Sequence, residues 1–269
     1  MKLFDSHAHI VSEEFDSDRV GVLEECERAG VVGILNVSTS AEDLPRVVNL
    51  GDRFPILKPA IGIHPERIAC VSDIQAVEEV EAVEKLLRAQ SDRVFGISEV
   101  GLDFSPHVLR NGHGEPECIK ARQRSALERQ AVLAKEFGLP MSVHSRSAGK
   151  HTLKLLQNLE LSNVVMHAFD GRPIYALKAV EESSFMFSVP PSASRSEHMR
   201  KLVERLPLEN LLLETDAPAL GPVQRTRNVP SNIVHSLTCV AEVKSLSEEE
   251  VGRRLLMNSE AVFTKAFKG

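Results

Sequence analysis

A chain of 269 residues, 42% apolar and 26% charged, has the makeup of a folded protein with a sizeable core, which excludes intrinsic disorder. Its formal charge of −6 excludes a protein that coats nucleic acid through a basic surface, although a few arginines within a site would still capture phosphate. Four scattered cysteines without a CxxC pair exclude a disulfide framework, and no run reaches the roughly 18 apolar residues of a membrane span. The opening MKLFDSHAH carries no apolar signal segment, so a soluble intracellular protein is expected, cytoplasmic or partly nuclear and not secreted, with no membrane contact and no obligate protein partner.

Taken in chain order, short apolar and β-branched runs closed by turn residues occur at 2–6, 31–37, 56–63, 93–98, 140–144, 163–167, 185–189 and 210–214. Stretches of helical period separate them, at 18–29, 41–51, 73–89, 117–137, 148–159, 172–181 and 196–206, and two more follow at 231–244 and 247–267. Eight alternations with continuously apolar strands predict a parallel sheet covered by helices, and at this length a closed α/β (β/α)8 TIM barrel forming one domain over 1–269. An open doubly wound sheet is the alternative, but no GxGxxG or GxxxxGK[ST] supports its nucleotide-binding forms.

In such barrels the reacting groups come from the carboxyl ends of different strands. Five of the ten histidines fall there: His7 and His9 after the first run, His64 after the third, His144 and His167 at the fifth and sixth. Glu99 after the fourth and Asp216 after the eighth join them. Strand alternation turns Asp5, His7 and His9 to one face, so the two imidazoles can grip one divalent cation with Glu99 and Asp216. Asp5, deeper on that face, is expected to accept the second ring N–H of a ligand histidine. His144 and His167 suit a second cation, with Glu99 bridging the pair. Two such ions clamp an attacking hydroxide and a phosphate oxygen. Zinc fits these nitrogen and oxygen donors first, with manganese, cobalt or magnesium as alternatives.

The strings DSHAH (5–9), IGIHP (61–65), SEVGLD (98–103), VHSR (143–146), MHAFDG (166–171) and ETDAP (214–218) together resemble the TatD family of metal-dependent deoxyribonucleases, in order and over almost the whole chain. GLDFSP, HSRSAG, HAFDGRP and ETDAPALGP are similar to one animal subgroup, the third TatD-domain paralogue. The resemblance implies a (β/α)8 barrel in which His7, His9, Glu99 and Asp216 hold one metal and Glu99, His144 and His167 the other. It also implies cleavage of DNA phosphodiesters, often from an end. Two positions depart from the family's usual pattern: Ser98 stands where Gly commonly precedes the bridging Glu, and Ala217 where Ser is common. Neither removes a ligand.

Arg146, two residues beyond His144, should project toward the same mouth and pair with phosphate. By resemblance His64 contacts the scissile phosphate, a packed histidine being the competing view. Arg195, Arg225 and Arg227 lie in loops that often bind phosphate in these barrels. Segment 105–117, rich in Gly and Pro, is expected as a loop or lid over the site, with His107 and His113 exposed. Glu214 shares parity with Asp216 and is expected behind a ligand; Phe104 and Phe169 are the candidates for base stacking. The expected reaction has a metal-activated hydroxide attack the phosphodiester, with Asp216 orienting the water or taking its proton and Glu99 bridging the metals. The rivals are a binuclear hydrolase of amides, lactones or small phosphoesters, and a silent scaffold. The bridging lysine of many amide hydrolases is not matched here, since no lysine ends a strand.

Overall fold

Each of the eight runs forms a strand in the computed structural model, which describes residues 1–268. They are β1 (Leu3–Ala8), β2 (Val31–Val37), β3 (Leu57–Ile61), β4 (Gly96–Gly101), β5 (Met141–His144), β6 (Val164–Met166), β7 (Met186–Val189) and β8 (Leu211–Leu213). All pair in parallel and in chain order within one sheet. The sheet curls until β8 returns to β1. There the Asp216 N–H donates to the His7 carbonyl at 2.8 Å, the His9 N–H to the Ala217 carbonyl at 2.8 Å, and the Ser6 hydroxyl to the Leu213 carbonyl at 2.9 Å. An open doubly wound sheet would keep its first strand interior, away from its last; the near-closed (β/α)8 barrel is therefore the fold.

The helices are α1 (Arg19–Arg28), α2 (Asp43–Arg53), α3 (Pro65–Cys70), α4 (Asp73–Gln90), α5 (Pro106–Asn111), α6 (Pro116–Phe137), α7 (Gly149–Asn158), α8 (Pro173–Ser183), α9 (Glu197–Arg205), α10 (Ile233–Lys244) and α11 (Glu248–Val262). Strands with both faces covered must be apolar throughout, and every residue of β1 and β4 is buried. No helix among the described residues is long and apolar enough to cross a membrane. Two helices depart from the sequence expectation. α3 and α5 are six residues each and open on a proline, too short to show a helical period. Segment 105–117 is thus half helical, anchored by Val108 against Ala69 and Ile119, rather than an open loop.

Close packing at the mouth has a backbone cost that glycine removes. At Gly101, where β4 meets β5, a Cβ would lie 1.9 Å from the His144 carbonyl oxygen. At the opposite end the carboxyl-terminal segment plugs the barrel, with Phe263 and Phe267 at 5.6 and 4.9 Å, centroid to centroid, from the Phe4 ring.

Candidate metal centre

Between β4 and β5 the register shifts from Ser98 to Val100, which leaves Glu99 as the extra residue of a bulge at φ +58°. A bulge re-aims its side chain, and here it points the carboxylate into the mouth. Asp216, just beyond β8, adopts φ +55°. Such left-handed non-glycine residues cost on the order of 1–3 kcal/mol each and cluster where function holds them. Two carboxylates carry that strain at one cleft.

Around them the imidazoles converge. Glu99 Oε2 touches His7 Nε2 and lies 3.2 Å from His9 Nε2; Glu99 Oε1 lies 3.3 Å from His64 Nε2 and 3.2 Å from His144 Nδ1. Asp216 Oδ1 lies 3.3 Å from His9 Nε2, 3.9 Å from His7 Nε2 and 4.0 Å from His167 Nε2. His7, His9, Glu99 and Asp216 place one donor atom each within 4.8 Å of the others. The second expected set is gathered less completely: His144 faces Glu99, whereas His167 stacks on His7 at 3.8 Å and faces Asp216. His9, His64, Glu99, His144, His167 and Asp216 line a cleft of about 330 Å³ with Thr39 and Arg146, while His7 is fully buried.

Partners behind the imidazoles assign their protons. An ionised carboxylate only accepts, so the N–H of His167 sits on Nδ1, 2.9 Å from Glu214 Oε2. Glu214 is held in turn by the Ser188 hydroxyl at 2.5 Å and the Ala168 N–H at 3.0 Å. His144 likewise gives its Nε2–H to Asp103 Oδ2 at 3.1 Å. His7 Nδ1 meets the Ser142 hydroxyl at 2.9 Å. Each of the three is pinned by its outer nitrogen and presents the inner one to the centre. His7 Nε2 and Glu99 Oε2, both buried, face each other with no hydrogen-bond partner. Two lone-pair atoms in that relation are satisfied by a cation between them, and a divalent ion fits this set of nitrogen and oxygen donors.

His64 differs. It caps α3, its Nδ1 accepting the Glu66 N–H at 2.9 Å, so its proton sits on Nε2 and that atom donates into the cleft. In this tautomer it is no metal ligand, although His64, Glu99 and His144 lie close enough to share an ion.

Several expectations need correction. Asp5 does not touch an imidazole ring. It accepts from the Thr215 N–H at 2.9 Å, the Thr215 hydroxyl at 2.5 Å and the backbone N–H of His7 at 3.1 Å, and so ties the β8–β1 seam beneath the cleft. Ser142 holds the position foreseen for it. Phe169 is fully buried against Phe187 and presents no face for stacking. Arg227 is engaged bidentately by Asp18, at 2.9 and 3.1 Å, over the Phe15 ring, and Arg195 bonds the Gly221 carbonyl. Neither lines the cleft, nor does the exposed Arg225. Arg146 does line it. Asp103, Ser142 and Ser188 are not signalled by the sequence because each takes its role from a group on another strand, His144, His7 and Glu214 respectively.

Charge is shared unevenly. Burial pulls His9 toward neutrality, but Asp216 and Glu99 outweigh it and push it up to about 10. His167 is likewise opposed by burial and driven up to about 10 by Glu214, Asp216 and Glu99. Burial and the charge of His167 hold His7 below its ordinary value. Burial works to raise Glu99, but the imidazoles of His7 and His167 hold it well below the carboxylate range. Without a metal, the proton-linked stability of His9 and His167 is complete below pH 6.5 and fades as pH climbs through about 10. A cation must displace those protons. Affinity is therefore expected to rise from pH 6 to pH 9, by about tenfold per pH unit for each proton released. Calorimetric titration in buffers of different ionisation enthalpy measures the release; pH-independent binding without proton release would contradict this assignment.

The TatD related DNase family profile matches residues 4–264. Deoxyribonuclease TATDN3 of Homo sapiens is 39% identical over 266 residues, covering 98% of this chain and 95% of its own. The 3'-5' ssDNA/RNA exonuclease TatD of Erwinia billingiae is 30% identical over 272 residues, covering 97% of this chain and 98% of its own. Among solved structures, YJJV, a TatD homologue from Escherichia coli K12, superposes with a TM-score of 0.86 at 28% identity, covering 97% and 98% of the two chains. The match in fold, in length and in the motifs that build the cleft leads to one conclusion: the chain belongs to the TatD-related DNase family of metal-dependent hydrolases, which act on phosphoester bonds.

Proposed function

We propose that the protein hydrolyses DNA phosphodiesters from the end of a strand with two divalent cations, zinc foremost. The observation that carries the reading is the pinning of His7, His144 and His167 by their outer nitrogens, which turns the inner ring nitrogen of each toward Glu99 and Asp216. In this reading His7, His9, Glu99 and Asp216 hold one cation. Glu99 and His144 hold the other with His167, whose Nδ1–H stays with Glu214 while the cation displaces the proton of Nε2. Bound there, the cations would neutralise phosphate charge and acidify a water.

The remaining steps belong to the chain. Asp216 orients the attacking water and takes its proton. The Nε2–H of His64 donates to a phosphate oxygen, and Arg146 pairs with the same phosphate from the rim. Asp103, Ser142 and Glu214 keep the three imidazoles in their working tautomers, and Asp5 keeps the seam beneath them closed. A cleft of about 330 Å³ admits a strand end more readily than a paired internal stretch. The names of the human and Erwinia relatives, a deoxyribonuclease and a 3'-5' exonuclease, support DNA and attack from an end.

Two rim donors for phosphate favour this over amide or lactone hydrolysis. Arg146→Ala should lower kcat/KM on DNA about 10- to 100-fold, the worth of one charge-assisted contact. The direct test is digestion of single-stranded DNA, labelled at either end, with zinc, manganese, cobalt or magnesium. Stepwise loss of nucleotides from one end is the expected result. Internal fragments would overturn the exonuclease reading, and inert DNA beside rapid amide or lactone hydrolysis would overturn the DNA reading.

A further inference from the structure

Outside the cleft the structure has a second concavity, of about 740 Å³, between α7 and α8. Lys150, Lys154, Tyr175 and Lys178 line it. In a chain of net charge −6, the segment 146–158 carries Arg146, Lys150 and Lys154 and no acidic residue. All three cations are exposed. Glu182, at the far side, is offset by Lys178 at 3.5 Å. Tyr175, the one tyrosine of the chain, has the Lys150 ammonium 5.6 Å and the Arg172 guanidinium 5.7 Å from its ring centroid. Cation–π attraction at that range holds two otherwise mobile positive groups together.

Position gives this surface its meaning. Helices of the barrel begin on the side of the mouth, and the loops that lead into α7 and α8 are joined there by the Ser147 N–H donating to Asp170 at 3.1 Å. Arg146 lines the catalytic cleft, and Lys150, four residues on, opens the α7–α8 concavity. One further turn down α7, about 6 Å along its axis, comes Lys154. A ladder of unpaired cations at this repeat, leaving an anionic reaction centre, matches the successive phosphates of an extended strand. It does not match a compact anion, which would need its donors converging on one point.

We infer that the α7–α8 surface binds the body of the single-stranded DNA whose terminal phosphodiester lies at the metal centre, with Lys150, Lys154 and Arg172 on phosphates and Tyr175 ordering Lys150 and Arg172. This rests on the DNA reading above. It makes strand length a determinant of affinity: a long oligonucleotide reaches the ladder, while a small phosphodiester fills only the cleft.

The metal-loaded enzyme and its Lys150→Ala/Lys154→Ala and Tyr175→Ala variants are to be compared on a long single-stranded oligonucleotide and on bis(p-nitrophenyl) phosphate. The expected result is a KM for the oligonucleotide raised about tenfold with little change in kcat, and unaltered turnover of the small diester. The double variant should also show a salt dependence of oligonucleotide binding shallower by about 1.4 in log–log slope, the share of two phosphate contacts on a single strand. Tyr175→Phe, which keeps the ring, should behave as wild type. Unchanged KM and salt slope in a variant of an enzyme that does cut DNA would overturn this inference and leave the DNA reading standing. A wild-type enzyme that hydrolyses the small diester and neither cuts nor binds the oligonucleotide would overturn both.

Discussion

Glu99→Gln is expected to lower kcat/KM by at least about 10⁴-fold and to strip the protein of bound metal, because in the proposed reading one side chain serves both cation positions. The Glu99 oxygens divide the cleft between them, Oε2 facing His7 and His9 and Oε1 facing His64 and His144. Glutamine keeps the shape and the bulge but replaces a shared anion by a neutral amide, whose NH2 would point at a bare ring nitrogen. The buried imidazoles then lose the charge that balances them, and with it goes the shared anion that the proposed pair of cations requires. Metal content by mass spectrometry, steady-state rates and circular dichroism together check this. A folded variant with full metal content and a rate within about tenfold of wild type would contradict it.

Asp216→Asn should have the next largest effect, a fall in kcat of about 10²- to 10⁴-fold, the range for loss of a positioned proton acceptor. Its Oδ1 meets His9 at 3.3 Å and lies near both His7 and His167, so in the two-cation reading the substitution weakens one position without removing the Glu99 bridge. KM for DNA should move little, since in the proposed reading Arg146 and His64 hold the phosphate from the other side. The pH profile separates the roles: if Asp216 takes the proton, the acidic limb of the kcat profile flattens in the variant. A change confined to KM, with kcat and its pH profile intact, would assign Asp216 to substrate binding instead.

The barrel was legible because its strands are buried almost throughout, Val32 and Lys58 excepted, and so read as mostly apolar runs, six of which end at or next to a titratable residue of the cleft. His7 and His9 could be paired from alternation alone. Glu99 could be listed, but its direction could not be derived, since the bulge at Ser98–Val100 breaks the alternation that parity relies on. Asp5 shows the converse: parity placed it on the correct face, yet closure of the barrel gave it backbone and Thr215 partners 210 residues away. Such seam contacts exist only once the sheet has curled. Asp103 and Ser142 escaped notice for a similar reason, as each gains its meaning from the ring nitrogen it faces across strands. Phe169 and Arg227 were read as available because sequence carries no account of burial in a loop; one is packed beneath α7 and the other is clamped to Asp18. The helices α3 and α5 were too short for any periodic signal. α3 matters all the same, because its first turn fixes the tautomer of His64.

The proposed convergence of these side chains on paired cations is tested most directly by anomalous diffraction from crystals grown with manganese or zinc. Two peaks, one among His7, His9, Glu99 and Asp216 and one among Glu99, His144 and His167, with Glu99 touching both, are the predicted result. A single peak that engages His64 in place of His167, or no peak at the mouth of the barrel, would contradict the account.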